Sequence, residues 1–153
     1  MRERMRIPAA VMSCVLIYGG VAAAQGYKAP PWVSASRCSA KYTDEPEKAV
    51  DYLKDWAALY RAFRLYGICD DGSVAEGFSD AVAKLLANQW QTLPELAKLA
   101  RSDRQFEQFV FRHLDETVNQ EDDLAIIGNA QKRCPDGLAA LCRRLVAKAK
   151  PSN

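Results

Sequence analysis

Residues able to do chemistry are sparse in this chain. His113 is the only histidine, so a Ser/His/Asp or Cys/His mechanism would have to run through it. It shares a helical face with Phe106, Phe109 and Val110, where a buried or half-buried structural role is the commoner outcome. Asp115-Glu116 and Asp122-Asp123 are adjacent pairs, and neighbours on a helix point different ways. A glycosidase-type pair must instead face each other across a cleft. Cys69-Asp70-Asp71-Gly72-Ser73 has the composition of a calcium loop but lacks acids at alternate positions and a glutamate at the twelfth. It reads better as a turn between helices, with Ser73 capping the next one. There is no C-x-x-C, and one histidine cannot complete a Cys/His zinc site, so neither metal nor cofactor is expected. One polar run stands out: Asp115-Glu116-Thr117-Val118-Asn119-Gln120-Glu121-Asp122-Asp123, with five acids and no base. Its plain reading is a solvated turn, with Asn119 capping the helix that follows and acids in the first turn favoured by the helix dipole. The alternative is a binding loop.

The cysteines depend on where the chain goes. Arg2, Arg4 and Arg6 precede a mostly apolar stretch from Ile7 to Val21, and Ala22-Ala23-Ala24 supplies small residues for cleavage before Gln25. That stretch is short beside the ~20 residues of a membrane span, so residues 1–24 read as a signal peptide and the mature protein as exported, soluble and free of the membrane. Cys14 leaves with the signal. Cys38, Cys69, Cys134 and Cys142 remain, an even number that reads as two disulfides in an oxidising compartment. Four cysteines allow three pairings. Cys38–Cys69 would tie the N-terminal segment to the end of the first helix, and Cys134–Cys142 would close a short loop. These two are favoured, each worth about 3 kcal/mol. The signal also takes three Arg and one Glu from 21 bases and 19 acids, leaving 18 of each. A balanced mature chain lacks the basic excess of a nucleic-acid binder.

These residues must be positioned by helices. With 153 residues, 49% of them hydrophobic, the chain holds one domain. Residues 25–42 lack periodicity and read as an extended arm. A helical domain over 43–150 then follows as a series of starts, several of them S/T/D-x-x-E/Q capping boxes. Asp44 with Glu47 opens a helix whose Val50, Leu53, Trp56, Ala57, Tyr60 and Phe63 recur at three and four, ending near Gly67. Ser73 with Glu76, Thr92 with Glu95, and Ser102 with Gln105 open three more. Leu124, Ile127 and Ala130 mark a fifth, and Leu138, Leu141, Cys142 and Leu145 a sixth with a basic outer face. Gly77, one turn into the second helix, costs ~1 kcal/mol against alanine and implies close packing against another helix, of this chain or of a partner subunit. The spacing predicts an all-α fold, about six helices in one compact bundle stapled by two disulfides. Phe78, Trp90 and Leu93 fit either its core or a dimer surface.

Several blocks together resemble a known family. Trp56-Ala57-Ala58-Leu59-Tyr60, the run from Cys69 to Asp80, Phe109-Val110-Phe111-Arg112-His113-Leu114-Asp115, Asn129-Ala130, Cys134-Pro135 and Leu141-Cys142 are similar to the immunity proteins of type VI secretion amidase effectors, in that family's order. The resemblance implies a small periplasmic helical protein, often a homodimer, without catalytic activity. Its partner would be a papain-like cysteine amidase that cuts peptidoglycan crosslinks, inhibited by a loop entering the catalytic groove. The segment Asp115 to Asp123 best matches that loop. The competing expectations are a periplasmic enzyme or cell-wall hydrolase using His113 with a nearby acid, and a structural or chaperone-like helical protein.

Overall fold

The computed structural model of the protein describes Cys38, residues 44–114 and residues 118–149. The signal peptide expected over 1–24, and all of the expected arm except Cys38, lie outside these residues. Among the described residues there are seven α-helices and no strand: α1 (Asp44–Val50), α2 (Trp56–Tyr66), α3 (Gly72–Asn88), α4 (Leu93–Ser102), α5 (Arg104–Arg112), α6 (Gln120–Lys132) and α7 (Ala139–Lys148). Short 3₁₀ turns at Gly67–Cys69 and Trp90–Thr92 join α2 to α3 and α3 to α4. The all-α bundle read from periodicity is what forms, with one helix more than expected.

The additional helix comes from a break. The single helix expected from Asp44 to Gly67 stops at Val50 and restarts at Trp56. Asp55 adopts an extended conformation, and its carboxylate accepts the Ala58 N–H at 2.7 Å, an N-cap that begins α2. Gln89 donates to the Lys54 carbonyl at 3.2 Å in the intervening turn. The break lays α1 across α3, where Val50 covers Gly77. A Cβ at Gly77 would overlap Val50 Cγ2 and stand 2.8 Å from Val50 Cβ. The close packing expected at this glycine is therefore real, and its neighbour belongs to the same chain.

Helix starts follow the carboxylates and amides that sit nearest the free N–H groups. At α3 the cap is Asp71, which accepts from Gly72 N at 2.9 Å, while Ser73 donates to Glu47 of α1 at 2.7 Å. At α5 it is Asp103, accepting from Gln105 N and Phe106 N at 3.0 and 3.2 Å, while Ser102 closes α4 by donating to the Leu99 carbonyl. The expected boxes at Ser73 and Ser102 thus each give way to a neighbouring aspartate, whose charge also favours the positive end of the helix. Thr92 does not cap α4 either. Its hydroxyl donates to the Gln89 carbonyl at 2.7 Å and accepts from the Trp56 indole at 2.9 Å, settling a buried donor instead.

The core is aromatic at its centre. Phe63, Phe78, Phe106 and Phe109 are fully buried, with the Phe63–Phe109 and Phe78–Phe109 centroids 4.8 and 4.9 Å apart, within the favourable range for ring pairs. Helix α3 packs against α1, α2 and α6, and α6 packs in turn on α7. Phe78, Trp90 and Leu93 all belong to this core. In α6 the buried stripe is Asp123, Ile126 and Ala130, while Leu124 is exposed. The expected face of that helix was therefore rotated. Both favoured disulfides form: Cys38–Cys69, 31 residues apart, and Cys134–Cys142, 8 apart. They suit an oxidising, exported location, and no helix of the described residues is long and apolar enough to cross a membrane.

Candidate functional site

The expected binding segment lies between α5 and α6. Asp115, Glu116 and Thr117 lie outside the described residues. On either side of them the chain is anchored inward, since Leu114 and Val118 are both buried. Asn119 then caps α6: its side-chain oxygen accepts the Asp122 N–H at 2.9 Å, and its amide donates to the Asp122 carboxylate at 2.6 Å. This is the cap read from the sequence. Gln120, Glu121, Asp122 and Asp123 therefore belong to the first turn of α6 rather than to a loop. The cap and three acids at the positive helix end account for the earlier start. Asn119, Gln120 and Glu121 face solvent. Asp123 turns inward instead; burial, joined by the charge of Asp122, raises its carboxyl above the ordinary aspartate value.

A cleft of about 320 Å³ opens between α3 and the end of this segment. Its walls are Glu76, Ser79, Asp80 and Ala83 of α3, with Val118, Asn119 and Asp122 opposite. Three carboxylates line it, and one of them, Asp80, is paired with Lys84 one turn along. The cleft thus offers negative potential and a hydroxyl.

Behind that hydroxyl stands a buried polar chain that the sequence did not reveal. Ser79 Oγ lies 2.9 Å from His113 Nδ1, and His113 Nε2 lies 3.1 Å from Asp70 Oδ1. The second is a close approach without hydrogen-bond geometry, and neither of its atoms has a hydrogen-bond partner or access to solvent. Arg112 donates to Asp70 Oδ2 at 2.7 Å. His113 is 4% exposed, as expected for its helical face, and packs against Phe109 with centroids 4.3 Å apart. Burial pushes the Asp70 carboxyl up, but the close approach and charge of His113 together with Arg112 outweigh it and hold the group below its ordinary value. Asp70 and Ser79 are 43 and 34 residues from His113, too far for any local motif. The one available signal was a serine set among the apolar residues of the buried face of α3.

Hydroxyl, imidazole and carboxylate thus adjoin in the residue order of a hydrolase triad, but with the ring reversed: the serine faces Nδ1 and the aspartate Nε2. The surroundings oppose that chemistry. Ser79 is 7% exposed, in the interior of a helix. Acyl transfer from it would build an oxyanion in a cleft lined by Glu76, Asp80 and Asp122, where stabilisation calls for donors and positive charge. The arrangement is better suited to holding structure.

A second depression, about 550 Å³, lies between α6 and α7 beside the Cys134–Cys142 bridge, lined by Ala130, Ala139, Val146 and Ala147 with Arg143 at its edge. Nearby, Glu107 of α5 is buried and paired with Arg104 and with Arg144, whose guanidinium lies 4.1 Å from the centre of the Phe111 ring. No group of three or more His, Cys, Asp or Glu among the described residues could hold a metal ion. No family model matches the chain, and neither does a curated protein or a solved structure.

Proposed function

We propose that this protein is a periplasmic immunity protein that binds and inhibits a type VI secretion peptidoglycan amidase by placing the Asp115–Asp123 segment in its catalytic groove. It has no catalytic activity of its own and needs no cofactor. It thereby protects the cell from its own and its siblings' toxin. The supporting observation is the build of that segment: buried anchors at Leu114 and Val118, and exposed Asn119, Gln120 and Glu121 beyond them. Acidic groups presented to a groove with a protonated catalytic histidine gain charge-assisted hydrogen bonds and faster encounter. A bundle fastened by two disulfides loses little conformational freedom on binding, which suits a stoichiometric inhibitor. The proposal includes a homodimer, whose interface must use surface residues other than Phe78, Trp90 and Leu93, all three being core.

The test is a titration. Residues 25–153 with disulfides formed are added to the amidase encoded beside this gene, and cleavage of crosslink peptides is followed. Loss of activity at one-to-one stoichiometry, relieved by substitutions of Glu121 and Asp122, is the expected result. Full amidase activity at large excess would end the reading for that pair.

The Ser79–His113–Asp70 contacts favour one alternative, a cell-wall hydrolase using His113. Crosslink or ester cleavage by the protein alone, abolished in Ser79→Ala with the fold intact, would establish it. The cleft carboxylates predict no such activity.

A further inference from the structure

The buried polar chain sits where the proposed binding segment leaves the helical body. His113 and Arg112 close α5, directly before Leu114, and both reach back to Asp70. Asp70 follows Cys69, so this abutment is itself tied to Cys38. Ser79 takes the other ring nitrogen of His113 and also forms the wall of the cleft that faces Val118 and Asn119. One hydroxyl therefore meets the ring at one end of the segment and the cleft at the other.

Packing does not require polarity here. Phe78 and Phe109 already flank the ring, at 5.8 and 4.3 Å, and a phenyl group would fill the same space. Buried polar chains commonly add little net stability over an apolar replacement; what they add is a defined geometry. The geometry here is directional. The Asp70 carboxylate accepts from Arg112 and faces His113 Nε2, so Nε2 carries a proton in the neutral and the charged ring alike, and in the neutral ring the bare Nδ1 accepts from Ser79.

We infer that Asp70, His113 and Ser79 form a positioning relay that fixes Leu114 relative to Val118 and Asn119, so that His113 sets partner affinity without touching the partner. The affinity part rests on the immunity reading; the positioning part does not. His113→Phe keeps the ring volume and removes the relay, and Ser79→Ala removes its far end. Leu145→Ala, in the buried face of α7, serves as a destabilised control away from the relay.

The experiment reads amide hydrogen exchange of Leu114, Val118 and Asn119 in the free, disulfide-bonded protein, and inhibition of the neighbouring amidase at a temperature where all variants are folded. Exchange at the three amides should rise about tenfold or more in His113→Phe and Ser79→Ala and stay near wild type in Leu145→Ala, and inhibition should weaken about tenfold in the first two only. Unchanged exchange in the relay variants would overturn the inference, as would raised exchange with undiminished inhibition. A neutral ring carrying its proton on Nδ1, read from the ¹⁵N signals of the chain's one histidine, would also overturn it. If the wild-type protein inhibits no amidase, the immunity reading fails on that titration alone, and the exchange rates still decide the relay.

Discussion

Gly77 and Gly128 are both glycines within helices, and the space above them is opposite. A methyl group at Gly77 meets Val50, whereas at Gly128 it meets nothing within 4 Å. Alanine at Gly128 should stabilise the protein by about 0.5–1 kcal/mol through helix propensity. At Gly77 the same gain is offset by displacement of α1, for a net loss of about 1–3 kcal/mol. Denaturant titrations of the two variants check both signs. Two aspartates make a second contrast. The Asp70 carboxyl is held below its unfolded value of 3.8, so its contribution to stability is present above that value and is lost as pH falls through the folded value. The Asp123 carboxyl is raised above 3.8. Its contribution is present below that value and is lost as pH rises through the folded one. At neutral pH, Asp70→Asn should therefore lower the melting temperature and Asp123→Asn should raise it. The difference between Asp123→Asn and wild type should vanish in acid. Melting curves between about pH 3 and pH 7 test the pair.

At the scale of elements, periodicity was informative and boundaries were less so. The 3.6-residue pattern placed Phe63, Phe106, Phe109 and Leu145 on inward faces, where they are, and left Phe78 open between core and dimer surface; it is core. Boxes at Ser73 and Ser102 missed the caps by one or two residues because an adjacent aspartate competes for the same N–H groups and carries charge. Asp103 should accordingly matter more than its neighbour. It caps α5 through two N–H groups and accepts the Tyr60 hydroxyl at 3.1 Å. Its replacement by alanine should cost about 1–2 kcal/mol, against ~0.5 kcal/mol or less for Ser102→Ala, in thermal or chemical unfolding. The candidate site was legible in part. Asn119 announced its own cap, and an acidic run between two periodic segments marked the place. The rotation of α6 was hidden because its buried stripe begins with a carboxylate, Asp123, that hydropathy assigns to solvent. Asp70 and Ser79 were hidden for another reason: only the packing of α3 beside the end of α5 brings them to His113.

Across the whole molecule, two covalent closures of different reach hold the bundle. Removing Cys38–Cys69, which spans 31 residues, should cost about 3.5 kcal/mol, and removing Cys134–Cys142, which spans 8, about 2.5 kcal/mol. Paired alanine variants in guanidinium chloride test the order. Their effects at the end of α5 should differ more than their effects on stability. The longer bridge ends one residue before Asp70, against which Arg112 and His113 lean, whereas the shorter one lies across α6 and α7. Loss of the longer bridge should speed exchange at Leu114, and loss of the shorter one should not. The position of that bridge also gives the protein a chronology. Before oxidation the abutment at Asp70 rests on its noncovalent contacts with Arg112 and His113 alone. Oxidation adds the covalent fastening. That fastening is then acquired where the chain meets an oxidising compartment rather than at synthesis, and a chain kept reduced stays without it.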